Sequence, residues 1–424
     1  MINKWLYILF LIPAFSSCLE SPEMTTGIIN GKERPTVITG QTNTFHIDGN
    51  LFFEGQITYT GKAEITENGF LWGTNPDSIN KVIFCNPKAE IFSHEFKNAL
   101  GNTIYYWQSF AKNSYGYDYG EVRSYNTPKI WEEKTSLNVT ARGESAYFVL
   151  NDKIYITCGV YYKNGTIRTW TDDICEYDIL NTKWQTRNYF PGGPRSYPVV
   201  FTIGNLAYVG TGHIPNVIMY KDFYCFDNAL SLYEWTKIDT PDAMLERHHA
   251  IAFSIDGKGY LVGGISGSVE LDDIWQYNPE IKLWVKKGNF PVKILGGISL
   301  CGNDRAFVGF GNTSETARTL WEYNYATDKW IEFAVLPDYV GKIFSGVIVR
   351  NTIYILDDNY IIWAYDIGGE HKTWEEKNEL PSEAFPPKHI EGEQYMLTTG
   401  KSNSIYVGLG FSQYLYEYRP LWDN

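Results

Sequence analysis

Apolar and polar residues alternate over short segments along most of this 424-residue chain, and turn-forming residues separate the segments. Residues 52–59 and 103–110 are clear examples. A side-chain period of two is typical of β-strands, and no long stretch shows the 3.6-residue period of an amphipathic helix. The pattern therefore predicts an all-β protein made of many short strands.

The composition agrees with this prediction and excludes one class of partner. The chain has 14 Trp, 32 Tyr, 23 Phe and 38 Gly residues, a profile that favours short strands joined by tight turns. Its net charge is −13, and acidic and basic residues are mixed along the chain. Because nucleic-acid binding needs a basic surface to engage phosphates, we expect no nucleic-acid partner.

The first 17 residues have the features of a secretory signal peptide. Lys4 precedes an apolar segment, residues 5–15, that is too short to span a bilayer. The segment leads into Phe15-Ser16-Ser17-Cys18, which resembles the lipobox of bacterial lipoproteins, although the family prefers leucine at position 15. The resemblance implies that Cys18 is acylated. Ordinary signal cleavage, with Cys18 incidental, is the alternative.

Residues 18–32 are expected to form a linker after the lipidated cysteine. Glu20 and Glu23 give its start an acidic character that resembles the surface-export signals of some Gram-negative lipoproteins. Acyl chains on one cysteine hold a soluble domain at a membrane. We therefore expect a bacterial outer membrane lipoprotein that faces the cell surface or the periplasm.

Five further cysteines are Cys85, Cys158, Cys175, Cys225 and Cys301. An odd number in an exported protein cannot all pair within the chain. Cys158 and Cys175 are candidates for a disulfide between neighbouring strands, and small buried hydrophobic residues are the alternative. No CxxC motif or Cys/His cluster has metal-ligand spacing, so neither a metal nor a cofactor is predicted.

Residues 33–128 are predicted to form a first domain, a β-sandwich of about a hundred residues. Two segments, residues 68–74 and 105–116, resemble the fibronectin type III-like or Ig-like modules of bacterial surface lipoproteins. The resemblance implies a spacer or a docking platform rather than a catalyst. Thr127 and Pro128 close the domain with almost no linker.

A repeat occupies the rest of the chain. Its tryptophans are separated by 44 to 53 residues and are Trp131, Trp184, Trp235, Trp284, Trp330 and Trp374. Each repeat also has a strand that ends at a turn, with glycines in five of the six units, as in residues 259–264. An aromatic residue follows, with a short polar residue in most units, as in Tyr177-Asp178. In the fifth unit Asp357 and Asp358 replace the glycines.

The order of double glycine, Tyr-Asp and Trp resembles the kelch repeat, whose period is near 50 residues. The resemblance covers residues 129–424 and implies a six-bladed β-propeller related in fold to galactose oxidase. The last unit ends before a tryptophan could appear, whereas Trp131 precedes the first unit. We therefore expect residues 129–134 to supply the outermost strand of the last blade, which would hide an unpaired edge.

In kelch propellers the loops between the second and third strands, and those that link one blade to the next, tend to build the ligand face. The longest such loop is residues 160–172, followed by residues 213–221, 265–272 and 312–318. Aromatic residues beside a cation could stack on and hydrogen-bond a sugar or an acidic ligand, and exposed loops with scattered aromatics are the alternative. The candidate ligand-binding residues in these loops are Tyr161, Tyr162, Arg168, Trp170 and His213.

Three arginines are further candidates, because Arg142, Arg195 and Arg247 each precede the second turn residue of their unit by the same interval. Lys293 and Lys342 come close to matching positions. A basic ring at a channel mouth would attract carboxylates. The alternative is that these arginines, like His248 and His249 after Arg247, have the structural role that such residues have in kelch repeats.

Two classes of function remain open. The first is a membrane-anchored, non-catalytic binding lipoprotein whose propeller recognises a glycan or a protein. The second is an enzyme similar to kelch-type mutarotases of sialic acid or a related acidic sugar, in which Arg195 or Arg247 with Glu246 would supply acid–base and cationic groups. A copper radical oxidase is disfavoured, because the chain has only seven histidines and none is convincingly spaced.

Overall fold

The computed structural model describes residues 33–40, 49–136, 141–164, 166–229, 234–302, 304–314, 316–370, 372–382, 396–399, 403–408 and 412–423. The predicted signal peptide, the linker and Cys18 lie outside the described residues. The chain divides into two compact units, with the boundary between Pro128 and Lys129. Among the described residues, no helix has the length and apolar character to cross a membrane. The expected all-β fold is confirmed.

The N-terminal unit contains two antiparallel sheets. The first has the order β1-β2-β5, with bounds β1 (Thr36–Thr39), β2 (Leu51–Tyr59) and β5 (Ile91–Phe96). In the second, β4 pairs with β3, β3 with β6, and β6 with both β7 and β8. Its strands are β3 (Glu67–Gly73), β4 (Lys81–Phe84), β6 (Ile104–Asn113), β7 (Gly116–Tyr119) and β8 (Arg123–Asn126).

Aromatic side chains from both sheets form the core of this unit. Phe53 of β2 stacks on Trp107 of β6 with ring centroids 5.0 Å apart, and Phe70 of β3 lies 5.7 Å from Phe53. All three are almost completely buried. Because alternate residues of each strand point inward, the two sheets pack face to face through these rings.

The C-terminal unit is a β-propeller of six four-stranded antiparallel sheets, numbered here as blades 1 to 6. Blade 1 contains β10 (Ala146–Leu150), β11 (Lys153–Thr157), β14 (Ile174–Asp178) and β15 (Lys183–Thr186). Blade 2 contains β16 (Val199–Ile203), β17 (Leu206–Gly210), β20 (Phe223–Asp227) and β21 (Glu234–Ile238). Blade 3 contains β22 (Ile251–Ile255), β23 (Lys258–Ser266), β24 (Val269–Asn278) and β25 (Leu283–Asn289).

Blades 4 and 5 follow the same plan. Blade 4 contains β26 (Ile298–Gly302), β27 (Arg305–Gly309), β28 (Thr319–Asn324) and β29 (Lys329–Val335). Blade 5 contains β30 (Ile343–Val349), β31 (Thr352–Asp357), β32 (Ile361–Asp366) and β33 (Trp374–Glu379). Two small hairpins extend the turns of blades 1 and 2, namely β12 (Val160–Lys163) with β13 (Ile167–Trp170), and β18 (His213–Ile214) with β19 (Ile218–Met219).

Blade 6 is built from both ends of the propeller sequence. Its strands are β34 (Met396–Thr399), β35 (Ile405–Gly408), β36 (Leu415–Tyr418) and β9 (Trp131–Glu133), and a 3₁₀ helix follows at Pro420–Trp422. Trp131 pairs with Tyr418 in this sheet, and the two rings lie 4.6 Å apart. The predicted closure by residues 129–134 is therefore confirmed, and the edge of β36 is covered.

The repeated tryptophans pack between neighbouring blades. Trp284 of blade 3 lies 4.8 Å from Phe223 of blade 2 and 5.1 Å from Tyr277 of its own blade. Burying a large aromatic side chain at each junction stabilises the stacking of sheets that cannot cover both faces alone.

Candidate functional site

Three segments that lead into the innermost strands of blades 1 to 3 have the same backbone geometry. They are Arg142-Gly143-Glu144, Arg195-Ser196-Tyr197 and Arg247-His248-His249. The middle residue of each forms a β-bridge to the turn that follows the second strand of the same blade. The third residue has a positive φ, +56° at Glu144, +52° at Tyr197 and +52° at His249. Equivalent positions in successive blades therefore carry a carboxylate, a phenol and an imidazole.

The arginine of each segment is locked into an ion pair inside the propeller. Arg142, Arg195 and Arg247 are 3 %, 0 % and 0 % exposed. Each guanidinium contacts both carboxylate oxygens of an aspartate that directly precedes the third strand, Asp173 or Asp222, or lies within it, Asp273. Arg195 and Arg247 also donate to backbone carbonyl groups of their own blades.

The electrostatics of these pairs fit a structural role. Burial opposes ionisation of Asp273, but the hydrogen bonds and charge of Arg247 outweigh it and lower the pKa of the carboxyl group. The same balance lowers the pKa of Asp173 beside Arg142. The arginines therefore do not form an open basic ring, and the hypothesis that they attract a ligand is corrected. Paired aspartates, which sequence reasoning did not assign, neutralise them.

The hairpin β12–β13 presents a different set of side chains. Tyr162 lies directly opposite Arg168, and Val160 opposite Trp170, so Tyr162, Arg168 and Trp170 share one face. The Arg168 guanidinium lies 5.7 Å from the centre of the Trp170 ring. Tyr161 alternates to the other face of the hairpin, away from these candidates.

Arg168 is anchored by a buried carboxylate. Its Nη2 donates to Oε1 and Oε2 of Glu144 at 2.6 and 2.5 Å. The Arg168 side chain is 38 % exposed, whereas that of Glu144 is 3 % exposed. The Tyr197 hydroxyl also hydrogen-bonds to Glu144. Burial raises the pKa of Glu144, although Arg168 and Tyr197 oppose that rise.

Three histidines pack beside this group. The rings of His213 and His248 stack with centroids 3.7 Å apart, and Tyr197 stacks on His249 at the same distance. Nδ1 of His248 lies 2.5 Å from Nδ1 of His249, so one of the two nitrogens donates. Burial lowers the pKa of His213 to about 4 and that of His249 to about 3, and it also lowers the pKa of His248. The imidazoles are therefore uncharged at neutral pH.

These residues lie where the central channel begins. The channel is a cavity of about 430 Å³ lined by the innermost strands. Its lining includes Ser145, Pro198 and Ala250, which directly follow Glu144, Tyr197 and His249. We call the group the mouth cluster and define it as Glu144, Tyr162, Arg168, Trp170, Tyr197, His213, His248 and His249.

The mouth cluster joins predicted and unassigned residues. The structure brings together Tyr162, Arg168, Trp170 and His213, which were candidates from the sequence. Glu144 and Tyr197 were missed, and His248 and His249 were expected to be structural. A signal was present, because Glu144, Tyr197 and His249 each stand two positions after a repeated arginine.

The structure also bears on metal and disulfide chemistry. Within the described ranges, no group of three or more His, Cys, Asp or Glu side chains is arranged to hold a metal ion. Cys158 and Cys175 are both buried and both free, so the disulfide considered for them is not formed and they pack as small hydrophobic residues.

Comparisons with known proteins support the fold. The family description "Kelch motif" matches residues 247–291, which include Arg247 and all four strands of blade 3. A solved structure described as "Structure of YjhT" is similar with a TM-score of 0.52 and 15 % sequence identity. The match covers 66 % of this chain and 95 % of that one. Among curated proteins, none matches this sequence.

Proposed function

We propose that this kelch β-propeller is the recognition part of a membrane-anchored, non-catalytic binding lipoprotein. Its ligand, a glycan or a protein, would bind at the mouth cluster. The observation that carries the proposal is the shared face of Tyr162, Arg168 and Trp170 beside the stacked histidines. Flat aromatic faces with a few fixed polar groups are typical of ligand sites, and no other group of loop candidates converges in this way within the part of the chain that the structure describes.

The groups of the mouth cluster suit binding better than catalysis. Glu144, its one carboxylate, is buried and already accepts hydrogen bonds from Arg168 and Tyr197. A general base must reach the proton that it removes, and Glu144 is covered by its own partners. Arg168 and Trp170, by contrast, present surface to solvent.

The attachment to a membrane belongs to the same proposal. Acylated Cys18 would anchor the chain to the bacterial outer membrane, and residues 33–128 would serve as a fibronectin type III-like or Ig-like spacer. Mass spectrometry of the mature N-terminus tests the anchor directly. We expect a diacylglyceryl mass on Cys18 and its loss in Cys18→Ser, and an unmodified mature N-terminus would overturn this part.

The experiment on the site is a binding screen of the purified protein against glycans and candidate surface proteins. We expect Trp170→Ala and Tyr162→Ala each to weaken binding by about ten-fold or more, because a buried aromatic contact contributes on the order of 1–3 kcal/mol. Tyr189→Ala is the matched control, since Tyr189 is 70 % exposed and outside the mouth cluster. Equal losses in all three variants would contradict the proposal.

A mutarotase of sialic acid or a related acidic sugar is the second candidate. The observation that favours it is that the charge of Arg168 acts on His213, which stacks on the half-buried, uncharged imidazole of His248, so a cation lies near a proton acceptor. Arg195 and Arg247 are no longer candidates for the cationic group of such an enzyme, because each is paired with an aspartate. An anomerisation assay beside the binding screen separates the two functions. Faster equilibration of a free sugar, lost in His248→Ala, would replace binding by catalysis.

A further inference from the structure

Arg168 differs from the three arginines inside blades 1 to 3. Each of those is buried, and each contacts both oxygens of an aspartate. Arg168 instead has a side chain that is 38 % exposed, and only its Nη2 donates to Glu144. Among the described residues, Nε and Nη1 of Arg168 donate no hydrogen bond. Nη2 is therefore anchored to Glu144, and the edge of the guanidinium that carries Nη1 is open to a further acceptor.

The contacts of Nη2 fix the position of the open edge of the Arg168 guanidinium. Glu144 accepts hydrogen bonds from Nη2, and the guanidinium lies over the Trp170 ring. A guanidinium is planar and carries donors on two edges, so it binds a second oxyanion without releasing the first. Because the side chain is already ordered, a ligand would not have to order it on binding.

The surroundings of the open edge favour a planar anion. His213, His248 and His249 are uncharged at neutral pH, and Glu144 is the one acidic residue of the mouth cluster. The charge of Glu144 is buried behind Arg168, so it does not face an incoming anion. Tyr162, Trp170 and the stacked imidazoles offer flat faces next to the cation.

We infer that the open edge of Arg168 is an oxyanion subsite that binds the carboxylate of a small, flat ligand. Nη1 of Arg168 donates to the carboxylate, and the aromatic residues contact the ring or plane that carries it. The inference rests on the proposed function in placing a ligand at the mouth cluster. It adds the chemical class of that ligand and the residue that selects it.

The test uses two probes of the same shape, benzoate and benzamide, titrated by NMR into the full-length protein at pH 7. Charged hydrogen bonds contribute on the order of 1.5–3 kcal/mol, so we expect benzoate to bind about ten-fold or more tightly than benzamide. We expect Arg168→Met to remove that preference. Equal affinity for the two probes, or no binding of benzoate, would overturn the subsite.

Two further variants separate the subsite from general charge and from misfolding. Lys163→Met removes a positive charge from the same hairpin, and Lys163 alternates to the face opposite Arg168. We expect it to change benzoate affinity by less than about two-fold. Arg168→Lys keeps the charge but loses the planar fork, so we expect intermediate selectivity. Unchanged selectivity in both Arg168 variants, with unchanged thermal midpoints, would contradict the assignment.

Failure of the subsite and failure of the broader proposal give different results. If a ligand from the binding screen is lost in Trp170→Ala while benzoate and benzamide bind alike, the mouth cluster binds ligands without an oxyanion subsite. If neither a ligand nor benzoate binds, the proposed function fails together with the subsite.

Discussion

Blades 3 and 4 are neighbours with the same backbone plan and different chemistry at the mouth. In blade 3, Arg247 receives a backbone hydrogen bond from Gly212 of blade 2 and donates its own N–H to Tyr220. In blade 4, Ile294 makes the same two bonds, with Gly264 and Leu271 of blade 3. Ile294 therefore occupies the arginine position in blade 4. Lys293, which the spacing indicated as a near match, is one residue away.

The partner changes together with the arginine. Asp273 stands four residues before Tyr277 in blade 3, and Thr319 stands four residues before Tyr323 in blade 4. A buried charge without its counterion is costly, so both members of the pair are replaced at once. The same backbone contact between neighbouring blades is therefore made with an Arg–Asp pair in blade 3 and with Ile294 and Thr319 in blade 4. The Arg–Asp pair thus has a structural role.

The same comparison isolates the mouth cluster. The third position of the segment is His249 in blade 3 and Gly296 in blade 4, and both have positive φ, +52° and +61°. A Cβ on Gly296 would lie 2.3 Å from Nδ2 of Asn312, so Asn312 fills the space that a side chain occupies in blade 3. The backbone geometry is thus shared by blades 3 and 4, whereas blade 4 has a glycine where blade 3 has an imidazole.

The largest expected effect comes from breaking the pair in blade 3. Arg247→Ile leaves the Asp273 carboxylate without its cation at a site where the side chain is 14 % exposed. We expect a loss of about 3–5 kcal/mol in the free energy of unfolding, measured by chemical denaturation. Lys183→Met, an exposed charge removal, should stay within about 0.5 kcal/mol. A loss no larger than that of the control would show that the pair is dispensable.

Converting blade 3 fully to the chemistry of blade 4 should cost much less. The double variant Arg247→Ile/Asp273→Thr removes both charges, so no uncompensated carboxylate remains. We expect it to recover most of the stability lost by Arg247→Ile, with a residual loss of about 1–2 kcal/mol from imperfect packing. Simple addition of the two single-variant losses would argue against the equivalence of the two junctions.

A smaller effect concerns the histidines, which blade 4 lacks at its mouth. Histidines of the unfolded chain have pKa values near 6.5, whereas burial lowers the pKa of His213 to about 4 and that of His249 to about 3 in the folded protein. The contribution of these uncharged histidines to the free energy of unfolding should therefore be fully present above pH 6.5 and decrease as the pH drops towards 4.5. This window lies above the range in which the paired aspartates titrate.

His249→Asn tests the source of that slope, because asparagine tolerates the positive φ at this position. We expect a thermal midpoint that depends less on pH between 6.5 and 4.5 than in the parent protein. An unchanged slope would place the proton-linked loss of stability elsewhere in the chain.

The sequence predicted more of the fold than of the site. The sequence was sufficient to predict the ring closure. Each repeat contributes one tryptophan, so Trp131, which precedes the first unit, could be assigned to the last unit, in which no tryptophan follows Tyr418 at the usual spacing. The pairing of Arg247 with Asp273 was not visible, since the two residues are 26 positions apart, one in the segment before the first strand of blade 3 and the other in its third strand. Glu144 was missed because the position two residues after the repeated arginine holds a different residue type in each of the three blades.

The predicted site residues that the structure brings together are close in sequence. Tyr162, Arg168 and Trp170 lie on one short hairpin, so strand alternation alone places them on one face, whereas Tyr161 falls on the other. Three-dimensional stacking of His213 on His248 depends on the contact between blades 2 and 3, which the spacing along the chain does not give.

The central claim, that the mouth of blades 1 to 3 binds the ligand and that of blade 4 does not, is tested most directly by hydrogen–deuterium exchange. The exchange is measured with and without a ligand from the binding screen. We predict slower amide exchange in β12–β13 and in residues 213–219, with no change in residues 304–314 of blade 4. Protection confined to blade 4 or to the N-terminal unit would contradict the account.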